Sequence, residues 1–162
     1  MSEQVDFEKI KRLFKVVNKG MLLMWRLGMG PMVNFWPAVV GRIMVITHTG
    51  RKSGLKRQTP CNYAIVDGDI YCITMSVSDW YRNIKANPSI EVWLPDGRWS
   101  ATAEEIPNDE ANLPILRQVM IASGFAASAF GGVNPRKASD AELADKCRDE
   151  HIFRIRRGEP VR

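Results

Sequence analysis

The chemistry-bearing residues of this chain crowd into one segment, Thr47-His48-Thr49-Gly50-Arg51-Lys52-Ser53-Gly54-Leu55-Lys56-Arg57-Gln58-Thr59-Pro60. It offers four cations, several hydroxyls and two glycines. Glycines let a backbone come close to a ligand, while Arg and Lys pair with phosphates or carboxylates. The segment is not a nucleotide-binding P-loop, because GxxxxGK[ST] is not matched. Anion binding and a plain solvated basic turn both fit it. So does a nucleic-acid surface, since Trp80, Tyr81 and Arg82 could stack beside a basic loop.

Such a loop needs rigid flanks, and the surrounding sequence supplies strands. Ile43 to Thr47 is a β-branched run, and Thr59 to Val66 is another. Asp67-Gly68 is a hairpin turn leading into Ile70 to Thr74. A short helix is expected over Asp79 to Ala86, because Asn87-Pro88 stops it. Ile90, Val92 and Leu94 then alternate with Glu91 and Trp93, and Pro95-Asp96-Gly97 turns the chain into Trp99, Ala101 and Ala103. Five short strands at this spacing predict a small antiparallel barrel rather than a parallel sheet.

On the N-terminal side, Phe7, Ile10, Phe14, Val17, Met21 and Met24 recur at spacings of three and four. They predict a basic amphipathic helix over 6–26 laid on the domain. That helix could serve as a lid, a dimer face or a contact with an anionic membrane. Residues 28–41 read as an apolar connection in which Met29, Met32, Phe35 and Trp36 could line a pocket. After the barrel, Asn108 is expected to cap a helix carrying Leu113, Leu116, Val119 and Met120. Gly131-Gly132 reads as loop, Ser139 and Glu142 as the capping box of a last helix, and His151 to Arg156 as a final strand.

The 162 residues are the length of one domain, taken here as 1–162 with an N-terminal helix (1–27), a barrel core (41–106) and a helical C-terminal part (107–162). With 23 Lys plus Arg against 18 Asp plus Glu, the net charge of +5 favours anionic partners without choosing among them. Cys61, Cys72 and Cys147 form no CxxC pair, so a zinc knuckle, a dithiol redox motif and a secreted disulfide framework are unlike this chain. There is no HExxH or GxSxG either, which sets aside common metal- and serine-hydrolase classes, and no metal site is expected. The longest uncharged stretch, Leu27 to Gly41, is too short and too broken by Pro31 and Pro37 to span a bilayer. A cytoplasmic protein is expected, with the inner membrane face as a peripheral alternative.

TGRKSG-x-x-R-x-x-P after a strand, followed by Asp79-Trp80-Tyr81-Arg82-Asn83 and Lys85-Ala86-Asn87-Pro88, resembles the deazaflavin-dependent nitroreductase family. The likeness is close over about residues 40–106. It implies a mainly β fold: a six-stranded antiparallel split β-barrel with an N-terminal helix and helices between strands five and six. It also implies coenzyme F-420, a deazaflavin with a phosphate and an oligoglutamate tail, with FMN as the alternative cofactor. By this resemblance Gly50, Arg51, Lys52, Ser53, Gly54, Lys56 and Arg57 hold the phosphate and tail, and Thr59 and Pro60 lie under the ring. Met75, Ser76, Val77 and Ser78 stand where the family has a glycine-containing loop against the cofactor. Trp80, Tyr81 and Asn83 close over the tail, although Trp80 and Tyr81 equally suit a core.

The implied reaction passes a hydride from reduced deazaflavin to an apolar, electron-poor small molecule: a quinone, enone or nitroaromatic. The family's C-terminal tyrosines are absent, so Phe125, Phe130 and 28–41 would wall the substrate. Solvent, Ser76 or Ser78 would supply the proton, with His48 the remaining candidate. A non-catalytic carrier of FMN, haem or a fatty acid is the rival on the same barrel. Specific nucleic-acid binding is not expected, and a homodimer is compatible with the chain.

Overall fold

The computed structural model describes residues 15–34, 41–124, 127 and 132–162. The chain first runs as a helix, α1, over 15–26, and a one-turn helix, α2 (Gly30–Val33), follows. Residues 6–14 of the expected first helix lie outside the described residues, as do Phe35, Trp36, Phe125, Phe130 and Gly131. The buried anchor of α1 is not the expected Val17 and Met24 stripe, which are 49% and 38% exposed, but Trp25 at 1%. Trp25 offers the largest apolar area on the helix and meets Trp93 edge to face, with ring centroids 5.3 Å apart. Gly30 closes the lock: a Cβ there would stand 2.4 Å from the Trp25 ring. Asn34 then pins the segment to the first strand, accepting from Ile43 N at 2.8 Å and donating to its carbonyl at 2.9 Å.

Seven antiparallel strands form one sheet: β1 (Ile43–Thr49), β2 (Lys56–Asn62), β3 (Ala64–Val66), β4 (Asp69–Met75), β5 (Ser89–Leu94), β6 (Gly97–Ile106) and β7 (Glu150–Pro160), in the order β2-β1-β5-β6-β7-β4-β3. Six strands were expected, and the difference is one bend. The run read as a single strand from Thr59 breaks at Tyr63, whose N–H turns aside to the Arg42 carbonyl. The half before the bend pairs with β1 and the half after it with β4, at opposite ends of the sheet order. One bent segment thus draws the two edges together and curls the sheet into a barrel. Pro60 is tolerated because β2 is an edge strand. The Asp67-Gly68 turn has positive φ at both positions, 51° and 87°, as a two-residue hairpin of this hand requires.

The barrel interior holds Met44, Ile46, Ile70, Cys72, Ile90, Val92, Phe153 and Ile155. The outer face of β4 and β7, with Tyr71, Ile73 and Ile152, is covered by α4 (Leu113–Ala122) and α5 (Asp140–Lys146) through Leu116, Val119, Met120 and Leu143. β4 is therefore buried on both faces, which explains its unbroken apolar run. Both of these helices lie between β6 and β7. A short helix, α3 (Asp79–Ala86), links β4 to β5 and matches its expected bounds. Ser139 caps α5 as expected, its hydroxyl accepting from Glu142 N at 3.2 Å. Asn108 caps nothing. Asp109 caps a 3₁₀ turn (Glu110–Asn112) instead, and Asn108 donates to the Cys147 and Glu150 carbonyls, tying the end of β6 to the start of β7. No helix among the described residues is long and apolar enough to cross a membrane.

Candidate functional site

The basic segment is shorter as a loop than its sequence suggests. β1 runs to Thr49 and β2 starts at Lys56, so Lys56, Arg57 and Thr59 stand on a strand and only 50–55 turn. Gly50 N–H reaches the Leu55 carbonyl and Gly54 N–H the Gly50 carbonyl, both at 2.8 Å, and Gly54 takes φ +67°, a conformation that favours glycine. Gly50 is buried under its own loop. A Cβ there would stand 2.7 Å from Ser53 Oγ and 3.0 Å from Arg57 Nε, so two donors converge over this glycine.

The loop is held from above by α3. Asp79 and Asn83, one turn apart, share a helix face, and both reach Arg51. Asn83 Oδ1 accepts from Arg51 N at 3.1 Å and Arg51 Nη1 at 3.0 Å, while Asp79 Oδ1 lies 3.5 Å from the same Nη1. The other end of the Asn83 amide is 3.2 Å from His48 Nδ1, and His48 Nε2 is 3.1 Å from Thr59 Oγ1. An unbroken polar chain thus runs from Asp79 through Arg51, Asn83 and His48 to Thr59. His48 is 3% exposed. Burial first, and the Arg57 charge second, lower its pKa to about 4. Lys56 is neutralised by Glu91 at 2.5 Å. Among the described residues the ion pairs leave Lys52 and Arg57 without a carboxylate.

The structure therefore gathers Gly50 to Arg57, Thr59, Asn83 and His48 into one constellation and adds Asp79. Pro60 stands next along β2, opposite Val45. The other expected contributors are placed elsewhere. Trp80 packs on Phe153, and Tyr81 lies over His151 with its hydroxyl 3.4 Å from Glu105. Both belong to the barrel side of α3, away from the loop. Met75 and Val77 are 42% and 53% exposed, Ser76 is exposed, and Ser78 Oγ accepts from Thr74 Oγ1 at 3.0 Å.

Two cavities flank α3. One of about 150 Å³ opens beside the constellation and is lined by Thr47, His48, Thr49, Lys56, Asn87 and Glu91 among others. The other, about 360 Å³, lies between α3, β6 and β7. Its wall includes Lys85 and His151, which clasp Glu105 at 2.6 Å each, and Glu150. Glu150 is 7% exposed, and burial raises its pKa to about 7. Sequence reasoning missed this second cluster. Lys85, Glu105 and His151 come from a helix and two strands far apart in the chain, and no local spacing links them. Asp79 was missed as well, although its spacing of four from Asn83 on the expected helix was a signal that could have found it.

The arrangement can do one thing well. It presents exposed cationic side chains and the Ser53 hydroxyl to an anion beside a buried neutral imidazole, on a hairpin held between two rigid strands. The family model described as F420H(2)-dependent quinone reductase matches residues 24–128, spanning the loop, α3 and most of the barrel. This chain belongs to that family. The F420H(2)-dependent quinone reductase Rv1261c of Mycobacterium tuberculosis is 31% identical over 83 residues, which are 48% of this chain and 55% of that protein. The chain thus spans about half the length of the curated relatives it matches. Among solved structures, the conserved hypothetical protein Rv2991 of M. tuberculosis aligns with a TM-score of 0.51 at 16% identity, covering 81% of this chain and 79% of its own. An FAD-binding protein of Mesorhizobium loti aligns at 0.50 and 17%, covering 76% and 86%. At such identities these two matches speak for the shared barrel fold alone.

Proposed function

We propose that this chain binds the deazaflavin coenzyme F-420 along residues 50–57 and passes a hydride from its reduced form to an apolar small molecule, a quinone foremost. The observation that carries this reading is the cationic hairpin at 50–57, pinned to α3 through Asn83, in a chain of this family. The residues suit the group: the phosphate and oligoglutamate tail are polyanionic. Lys52 and Arg57 are exposed cations, and Ser53 Oγ and Arg57 Nε converge over Gly50. A bidentate guanidinium and hydroxyl donors are what such oxygens take best.

When bound in its reduced form, the deazaflavin supplies the hydride, and the protein's tasks are orientation and desolvation. Arg51 is held by Asn83 and Asp79 and needs little further ordering to meet a phosphate. Thr59 and Pro60 on β2 would lie under the ring and hold it against the strand. The proton that follows the hydride comes from solvent in this reading, because Ser76 and Ser78, the expected hydroxyl donors, stand off the hairpin, Ser76 exposed and Ser78 bonded to Thr74. In this reading residues 1–162 act as one split-barrel domain. The exposed apolar side chains Val16 and Leu23 of α1, with Leu27 just past its end, would meet a second copy of the chain.

The test is anaerobic oxidation of reduced F-420 by the purified protein in the presence of an apolar quinone, an enone and a nitroaromatic. Turnover that saturates with quinone is expected. Failure with all three acceptors, while the cofactor still binds, would leave a carrier and overturn the enzymatic reading.

A further inference from the structure

The polar chain through Asn83 is directional. Arg51 contributes two N–H groups, one from its main chain and one from its guanidinium, and both converge on one atom of the Asn83 amide at 3.1 and 3.0 Å. Neither group can accept, so the shared atom is the amide oxygen and the NH₂ is the end that faces His48. An NH₂ can only donate. His48 Nδ1, 3.2 Å away, must therefore be the acceptor, and the proton of the neutral ring sits on Nε2. From there it is donated to Thr59 Oγ1 at 3.1 Å. Thr59 accepts from His48, and its own hydroxyl hydrogen must point away from the imidazole.

We propose that His48 is a positioning residue that fixes Thr59 as a hydrogen-bond donor, so that this wall of the site selects an acceptor oxygen or nitrogen on the ligand over β2. Taking that ligand to be the deazaflavin rests on the function proposed above.

The surroundings of the ring hold it in the form the geometry demands. Arg57 and Thr59 face it from β2, Asn83 and Asp79 from α3, and Arg51 lies beyond Asn83. Arg57 opposes a second proton and Asp79 favours one, with burial deciding for the neutral ring. A second proton would also sit on Nδ1, pressed against the Asn83 NH₂. The tautomer is set by what the other ring nitrogen meets, as in buried histidines generally.

The test begins with the ligand-free protein. Long-range ¹H–¹⁵N spectra of the histidine rings, assigned with the His151→Gln variant, report the tautomer directly. A single Nε2–H tautomer that does not titrate between pH 5.5 and 8 is expected. An Nδ1–H ring, a mixture of tautomers, or a midpoint near the ordinary histidine value would overturn the proposal. Affinity for oxidised F-420 is then compared in Thr59→Val and Thr59→Ser. Valine is expected to weaken binding roughly tenfold, the scale of one lost hydrogen bond, while serine retains it. Unchanged affinity in Thr59→Val overturns the donor assignment. No binding of F-420 by the unaltered protein would overturn the proposed function and the choice of ligand, while the ring spectrum still decides the tautomer.

Discussion

Replacing Glu150 by Gln should expose a pH dependence of stability that the unaltered protein hides. Two buried groups titrate in opposite directions over one window. His48 has its pKa lowered from 6.5 to about 4 by burial and by Arg57. Between those values the unfolded chain binds a proton that the folded chain does not, so His48 makes stability rise with pH. Glu150 has its pKa raised from 4.5 to about 7, chiefly by burial. Between those values the folded chain holds the extra proton, so Glu150 makes stability fall as pH rises. From pH 4.5 to 6.5 each effect integrates to roughly 2 kcal/mol, from 1.36 kcal/mol per pH unit per proton, and the two cancel. Glu150→Gln removes the falling arm and His48→Gln the rising one. Urea denaturation at pH 4.5, 5.5 and 6.5 reads both. Relative to the unaltered protein, Glu150→Gln should gain about 2 kcal/mol across the window and His48→Gln should lose about as much. Comparing variants with the parent cancels every other titrating group. Variants whose stabilities ran parallel to the parent at all three pH values would show that neither group is held as its burial implies.

Other expectations concern single contacts. Lys52→Ala should weaken F-420 binding by about 1–2 kcal/mol at unchanged thermal stability, since an exposed charge contributes little to folding. Arg51→Ala should weaken binding similarly and also cost about 1–2 kcal/mol of stability, because it strips a charge-assisted bond from buried Asn83. Titration calorimetry beside melting curves separates the two. Gly30→Ala should cost about 1–3 kcal/mol in chemical denaturation, because its methyl would meet the buried Trp25 ring. Ser139→Ala should cost about 1 kcal/mol through the lost cap of α5.

Much of this molecule could be read from the chain because its local signals agree with its tertiary ones. Asp67-Gly68 is a turn in any context, and Asn87-Pro88 ends a helix in any context, so β4 and α3 fell where they were expected. The basic segment declared a donor cluster by composition alone. What stayed hidden depended on distant partners. The bend at Tyr63 is set by Arg42, twenty-one residues away, and it turns one expected strand into two. Trp25 displaced the helical stripe as the anchor of α1 because Trp93 offers it a ring to pack on. Asn108 had the makings of a cap, but the carbonyls of Cys147 and Glu150 took its amide. His48 looked like a strand residue beside a loop. Its role as a link between Asn83 and Thr59 needs three elements folded together.

The central claim is that the hairpin of residues 50–57 is a deazaflavin site, and equilibrium titration of the purified protein against oxidised F-420, FMN and haem tests it most directly. Saturable binding of F-420 is predicted, tighter than FMN and haem and weakened by Lys52→Ala. Tight haem or FMN binding with none of F-420, or F-420 binding indifferent to Lys52 and Arg51, would contradict it.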